Sequence, residues 1–184
     1  GSRVIAPREF LHLESDGYIE SLVCHDSRED DGRDLMNKEL SWLIWQVTKD
    51  KPDLQFISIM DCCHSGKVTR TEKPEQEKIL ARTLEPVEKK FKAETLLGFD
   101  DYEEAGNGRY SPPIGRQVLL AASRDKQTAK EVYTKKGRRG MFSYCLLELL
   151  EETDRLTYRE LINRVNARIN NIIKKQSPQI ISTL

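Results

Sequence analysis

Apolar and polar positions follow two rhythms along this chain, and the switches between them mark its elements. A short apolar run, Glu20-Ser-Leu-Val-Cys24, ends in the polar cluster His25 to Arg33 and predicts a strand and a loop. Asp34 can cap the segment that follows, where Leu35, Met36, Leu40, Leu43, Ile44 and Val47 recur at helical spacing until Pro52 marks the exit. Leu54-Gln-Phe-Ile-Ser-Ile-Met60 is apolar, β-branched and too short for a helix, so it predicts a buried strand. That strand delivers the chain directly into Asp61-Cys62-Cys63-His64-Ser65-Gly66.

From Lys67 to about Arg116 the character changes to Lys, Glu, Gly and Pro with scattered apolar residues such as Leu84, Phe91, Leu96 and Leu97. A long charged insertion of this kind is usually mobile, functional or both. Gln117-Val-Leu-Leu-Ala-Ala122 restores a buried strand. Gly140 to Glu152 predicts a helix with Phe142, Cys145, Leu146 and Leu149 on one face. Thr157-Tyr-Arg-Glu160 is a capping box that opens a second helix, with Leu161, Val165, Ile169 and Ile172 at steps of three and four. Pro178 to Thr183 predicts a last strand. Strands interleaved with helices predict an α/β fold, with a mainly parallel sheet and helices on both faces.

Length and composition narrow this picture. The chain's 184 residues suit one compact domain, and 38% hydrophobic against 33% charged residues describe a water-facing chain that can still bury a core. Thirty basic residues balance thirty acidic ones, so no global field draws the chain to nucleic acid or to an anionic membrane. The four cysteines are Cys24, Cys62, Cys63 and Cys145; two are adjacent, which strains a disulfide ring, and no disulfide framework emerges. A reducing cytoplasm is the expected setting. No apolar run approaches the roughly 20 residues of a membrane span, and no signal peptide is visible.

A catalytic thiol needs exposure, a lowered pKa and donors for the oxyanion it creates. Cys63 stands where a strand stops, with Ser65 and Gly66 permitting a sharp turn, and strand ends line the ligand crevice of open parallel sheets. Cys62 should point the opposite way while the extended geometry persists. Cys24 and Cys145 fit packed elements, where a thiol behaves as a small hydrophobe.

Asp-Cys-Cys-His-Ser-Gly after a hydrophobic strand resembles the nucleophile motif of metacaspases and of their bacterial relatives, the orthocaspases. Further resemblances follow in the family's order. Glu20-Ser-Leu-Val-Cys-His-Asp-Ser-Arg28 resembles the segment between the catalytic His and Cys. Leu120-Ala-Ala-Ser-Arg-Asp-Lys-Gln-Thr-Ala-Lys-Glu131 resembles the start of the small-subunit half, Gly140-Met-Phe-Ser-Tyr144 the opening of its helix, and Gln176-Ser-Pro-Gln179 the family's Gln-x-Pro-Gln. The resemblance covers the chain apart from the charged insertion. It implies a caspase-like fold in which residues 1–66 end the large subunit, 67–116 form an intersubunit-type insertion and 117–184 belong to the small subunit. It also implies a cysteine endopeptidase whose Cys63 forms a thioester with the substrate and whose Asp61 lies in the S1 pocket. A carboxylate there accepts the substrate's Arg or Lys and repels an acidic side chain, which suits polypeptides cut after a basic residue. Asp61 as a purely structural carboxylate remains the competing reading.

The family's dyad histidine is not found at its place. His64 adjoins the nucleophile and is poorly placed to act on it, and His12 and His25 are nominal substitutes. By the resemblance, the histidine belongs to a segment preceding Gly1, which this chain would need as a partner. Gly1, if native rather than the scar of a tag, would then lend its N–H to the oxyanion hole. The basic residues Arg70, Lys78, Arg82, Lys89, Lys90, Lys92 and Arg109 make self-processing within the insertion one reading and a solvated loop the other. Asp26, Asp30, Asp31 and Asp34 could attract calcium. Asn37-Lys38 and Arg70 stand where calcium-dependent relatives are acidic, so helix capping and a solvated loop are favoured, and no cofactor is expected. An inactive caspase-like scaffold is the alternative function. A zinc site from Cys24, Cys62, Cys63 and His64 has unsuitable spacing.

Overall fold

The computed structural model describes residues 1–29, 32–62, 79–124, 127–134, 137–153 and 155–184. In chain order its strands and helices begin with β1 (Ser2–Ile5), β2 (Tyr18–Leu22), β3 (Leu35–Met36) and α1 (Asn37–Thr48). There follow β4 (Phe56–Met60), β5 (Ile79–Ala81), β6 (Glu103–Glu104), β7 (Tyr110–Ser111) and β8 (Gln117–Ala121). The last are β9 (Lys130–Thr134), β10 (Gly137–Gly140), α2 (Met141–Glu152), α3 (Tyr158–Ile172) and β11 (Gln179–Ser182). The fold is mixed α/β, and these elements divide into two compact units.

The first unit comprises Gly1–Phe56, Leu84–Gln117 and Thr183–Leu184. Its sheet runs β1-β2-β3, antiparallel throughout, with Val4 opposite Ile19 and Ser21 opposite Met36. Val4, Ile19 and Met36 face a core completed by Phe10, Ala93, Leu96 and Tyr102. Part of the charged insertion is therefore packed, because its few apolar residues are spaced to reach this core. The N–H of Val87 also donates to Arg3 O (2.8 Å), tying residue 87 to β1.

Helix α1 starts later than its apolar spacing predicts, and Asp34 does not cap it. Glu39 does instead, reaching back to accept the Met36 N–H at 3.0 Å. Asp34 is buried, accepting from Ser21 Oγ at 2.9 Å and from both Arg28 Nε and Nη2 at 2.9 and 2.8 Å. Along α1 the inward positions include Lys38, Glu39 and Thr48, whereas Val47 is exposed. A polar side chain can take an inward place when its hydrogen bonds come with it. Lys38 pairs with Glu14, and Glu39 pairs with Arg33 while also accepting the Leu97 N–H at 2.8 Å.

The second unit comprises Ile57–Thr83 and Val118–Ser182. One sheet has the order β11-β8-β4; its β11–β8 pair is antiparallel, and Ala122 N–H donates to Met60 O (2.9 Å) beside β4. A second sheet, β10-β9-β5, is antiparallel throughout. The ladders of known direction are thus antiparallel, where a mainly parallel sheet was expected. The reason is local: β9 and β10 are joined by a short connection, and only antiparallel neighbours can be joined so briefly. Val118, Leu120, Phe142, Cys145, Leu146, Leu149, Leu161, Val165 and Ile169 form the core between sheet and helices.

Both helices of this unit follow their predicted faces. Thr157 Oγ1 accepts the Glu160 N–H (3.2 Å) and Glu160 Oε2 accepts the Thr157 N–H (2.9 Å), the reciprocal capping box that opens α3. Ile172 is exposed, however, and Ile173 just past the helix end is buried in its stead. Strand β4 departs further: Ser58 is buried while Ile57 and Ile59 are 43% and 52% exposed. The expected burial fails because strand alternation puts Ser58 on one face of the sheet and Ile57 and Ile59 on the other. Among the described residues no helix is long and apolar enough to cross a membrane.

Glu39 gives this fold a pH test. Burial pushes its carboxyl up, but the Arg33 side chain and the Leu97 and Met36 N–H groups outweigh burial and hold it below the usual glutamate range. A depressed carboxyl contributes stability above its unfolded pKa and loses it as pH falls through its folded pKa. Glu39→Gln is expected to cost about 2 kcal/mol near pH 7, with the difference from wild type shrinking below about pH 4.3. Denaturant unfolding of both chains across pH 3–7 measures it; a difference that grows toward acid would contradict the assignment.

Candidate active site

Strand β4 ends at Met60, and the next residue turns its side chain inward rather than continuing the ladder. Asp61 has a side chain only 9% exposed. A carboxylate so removed from water must find donors. Its Oδ2 accepts the Ser143 N–H at 3.0 Å, in the first turn of α2. That helix begins at Gly140, which has no side chain to cap it, so a carboxylate from β4 supplies the acceptor that its free N–H groups and positive end favour.

Gly140 is needed there for space. A Cβ built on it would overlap Asp61 Oδ2 and stand 2.7 Å from Asp61 Cγ. The glycine before Met141-Phe-Ser-Tyr144 thus has a job in packing: it lets the buried carboxylate lie against the helix start.

The other oxygen faces a basic side chain. Arg82, the residue after β5, donates from Nε to the Asp61 backbone carbonyl and from Nη1 to Glu131 Oε1 (2.6 Å). Arg82 Nε is 3.7 Å from Asp61 Oδ1, close enough for attraction and too far for a hydrogen bond. Buried Oδ1 accepts no hydrogen bond among the described residues. Glu131 on β9 is shared, its Oε2 accepting from Arg138 Nε of β10 at 2.9 Å. The result is a row of alternating charge, Asp61, Arg82, Glu131 and Arg138, across the end of β4 and the faces of β9 and β10.

The loop after β8 is held from the carboxyl-terminal side. Gln176 is fully buried; its Oε1 accepts the Lys130 N–H (3.0 Å) and its Nε2 donates to Ala122 O (3.2 Å). Gln127 Oε1 accepts the Ser177 N–H (2.8 Å), and Gln179 Nε2 donates to Ser123 O (3.4 Å). The two resembling motifs, 120–131 and 176–179, therefore hydrogen-bond to each other and fix the start of β9 beside the Asp61 cluster.

The cysteines separate by environment. Cys63 and His64 lie outside the described residues, and Cys62 is half-buried. Cys145 is buried as expected; burial, aided by Glu148, pushes its thiol up to about 11, the opposite of what a nucleophile needs. Cys24 is exposed, against the expectation that it packs. Strand β2 stops at Leu22, so Cys24 sits in the following turn, with its N–H donating to Ser27 Oγ (2.7 Å).

Of the remaining candidates, Gly1 lies in the first unit, its carbonyl accepting the Leu84 N–H (2.9 Å). His12 lies 3.4 Å from Ser111 Oγ, and His25 is exposed in a turn. In the acidic cluster, Asp30 and Asp31 are outside the described residues, and Asp34 is committed to Arg28 and Ser21. Among the described residues no group of three or more His, Cys, Asp or Glu side chains is arranged to hold a metal. Sequence reasoning missed Glu131, Arg138 and the particular role of Arg82. Their one signal was the alternation of acid and base in segments that pair only in the folded sheet. No protein-family model matches the chain, and no curated protein matches it significantly.

The packing of Gly140 on Asp61 can be read from a double-mutant cycle. Gly140→Ala is expected to cost about 1–3 kcal/mol by overpacking. In an Asp61→Ala background the added methyl meets no carboxylate, and the same substitution should cost clearly less. Unfolding free energies of the four chains give the coupling, and strict additivity would remove the contact from the account.

Proposed function

We propose that this chain carries the thiol half of a caspase-type cysteine endopeptidase that cuts polypeptides after Arg or Lys. Cys63 is its nucleophile and Asp61 its selector for the basic residue. The observation that carries this reading is the state of Asp61. One carboxylate oxygen is fixed by a helix N-terminus, and the other is buried and accepts no hydrogen bond among the described residues while an arginine stands 3.7 Å away. A purely structural cap needs only the first oxygen. A second acceptor left open and facing a guanidinium suits recognition of a basic side chain. Its position two residues before Cys63 would put that recognition beside the nucleophile.

In this reading the fold is caspase-like and the enzyme works in the cytoplasm. The Cys63 thiol loses its proton to a histidine contributed by the segment preceding Gly1. The thiolate sulfur attacks the carbonyl carbon after the basic residue, and the carbonyl oxygen becomes the oxyanion of a tetrahedral intermediate. The C–N bond breaks and the amine leaves with the proton from the imidazolium. Water then hydrolyses the thioester, releasing the new carboxylate and restoring the thiol. Without that histidine the thiol stays near its ordinary pKa of about 8.5 and is only a few per cent thiolate at neutral pH.

The test is made on the chain joined to its preceding segment. Cleavage of an Arg-P1 fluorogenic peptide is expected, abolished by Cys63→Ala. Asp61→Asn should lower kcat/KM on that peptide by roughly 30- to 1,000-fold, the scale of losing one partner from a desolvated charge pair. Equal rates on Asp-P1 and Arg-P1 peptides would discredit Asp61, and no cleavage at all would leave the inactive scaffold.

Self-processing is expected as well. Of the basic residues in the 67–116 segment, Arg82 already stands at Asp61, so incubated active protein should yield a new amino terminus at Thr83. Amino-terminal sequencing reads this directly; an intact chain from an enzyme active on peptides would refute it.

A further inference from the structure

Strand β5 is three residues long, lies at the edge of its sheet and is followed at once by the arginine that reaches Asp61. It pairs antiparallel with β9, Ile79 opposite Val132, Leu80 opposite Glu131 and Ala81 opposite Lys130. The ladder continues one residue further, where Arg82 N–H donates to Ala129 O (2.9 Å). The backbone of 79–82 is thus held as an added strand, while the side chains contribute unequally. Leu80 is 38% exposed and Ala81 is exposed, whereas Arg82 turns in toward Asp61 and Glu131. Main-chain pairing with one selective side-chain pocket is how proteins recognise extended peptides by β-augmentation.

We infer that Ile79–Arg82 is a built-in occupant of the chain's own peptide site, with the β9 edge as the docking rail and Arg82 seated in the pocket meant for a substrate's basic residue. The proposal rests on reading Asp61 as that pocket, but not on any chemistry of Cys63. The occupant fits incompletely. Its Nε bonds the Asp61 backbone carbonyl, and Asp61 Oδ1 keeps no hydrogen bond among the described residues. A free peptide able to give Oδ1 a donor would make a contact that Arg82 does not. The occupant is therefore a regulator: the edge opens when 79–82 leaves, and a basic peptide and the tethered strand compete for one place. Recognition should depend on an extended backbone and the terminal Arg, with little selectivity for the residues standing where Leu80 and Ala81 stand.

The tether sets the scale. A competitor on the same chain acts at an effective concentration that can reach the order of mM, which a free peptide must overcome. The test uses full-length protein carrying Cys63→Ala, which cannot cut, and fluorescein-labelled Ile-Leu-Ala-Arg amide read by anisotropy. Arg82→Ala empties the pocket, and Leu80→Pro releases 79–82 by breaking the strand pairing from an exposed position while the arginine itself is retained in the sequence. Each is expected to tighten peptide binding by about 10-fold or more. Adding Asp61→Asn should abolish the gain. Arg82→Lys should restore the competition. In the unsubstituted Cys63→Ala protein, saturating peptide should speed amide exchange in 79–82. Unchanged affinity in both variants with unfolding midpoints retained, or exchange in 79–82 that peptide does not alter, would overturn self-docking. The peptidase reading would then still stand or fall on cleavage. Tighter binding in a protein that never cuts would keep the docking site and remove the peptidase.

Discussion

A carboxylate withdrawn from water organises everything around it, because each of its lone pairs needs a donor and the backbone must bring those donors close. Asp61 does this for the second unit. It ends β4, caps α2 through the Ser143 N–H, forces a glycine at position 140 and faces Arg82 beyond β5. Arg82 in turn engages Glu131 on β9, which engages Arg138 on β10. One buried charge therefore links the end of one sheet, the start of a helix and three strands of a second sheet. A loss of a donor here leaves an unpaired buried charge, which is costly far beyond the worth of a surface ion pair.

The first unit has a parallel arrangement around Glu39, fully buried and served by Arg33, by the Met36 N–H and by the Leu97 N–H. The last of these comes from the charged segment after residue 84, so α1 and that segment are pinned by one side chain. Two neighbouring carboxyls behave in the opposite sense. Burial raises both Glu14 and Glu20 above the usual range, and Lys38 only partly offsets it. The first unit thus carries acids shifted both ways, decided by how many donors each one reaches.

The β9 edge explains why β5 matters despite its length. An unpaired strand edge offers free N–H and C=O groups to any extended segment, and proteins keep such edges covered. Here the cover is a segment of the chain's own charged region, anchored by Arg82 beside a carboxylate whose second oxygen accepts no hydrogen bond among the described residues. On the proposed reading, cover and recognition use the same contacts, and a peptide that makes those contacts better replaces the cover.

The periodic elements were legible from sequence because their information is local. The faces of α2 and of most of α3 follow from Phe142, Cys145, Leu146, Leu149, Leu161, Val165 and Ile169 at helical steps, and Thr157 with Glu160 marks a helix start within four residues. The end of a strand just before Asp61 was equally readable, because an apolar β-branched run stops there. Only tertiary structure decided what such local signals could not hold. Asp34 lost the cap to Glu39 because Ser21 and Arg28 claimed it, and Ile57 and Ile59 stayed exposed while Ser58 between them took the buried face. Ala93, Leu96 and Tyr102 joined a core from within a charged stretch. Arg82 met Asp61 across 21 positions of sequence. Spacing along a chain records which residues share a face, whereas the partner of a buried charge is set by which distant segments pair in the sheet.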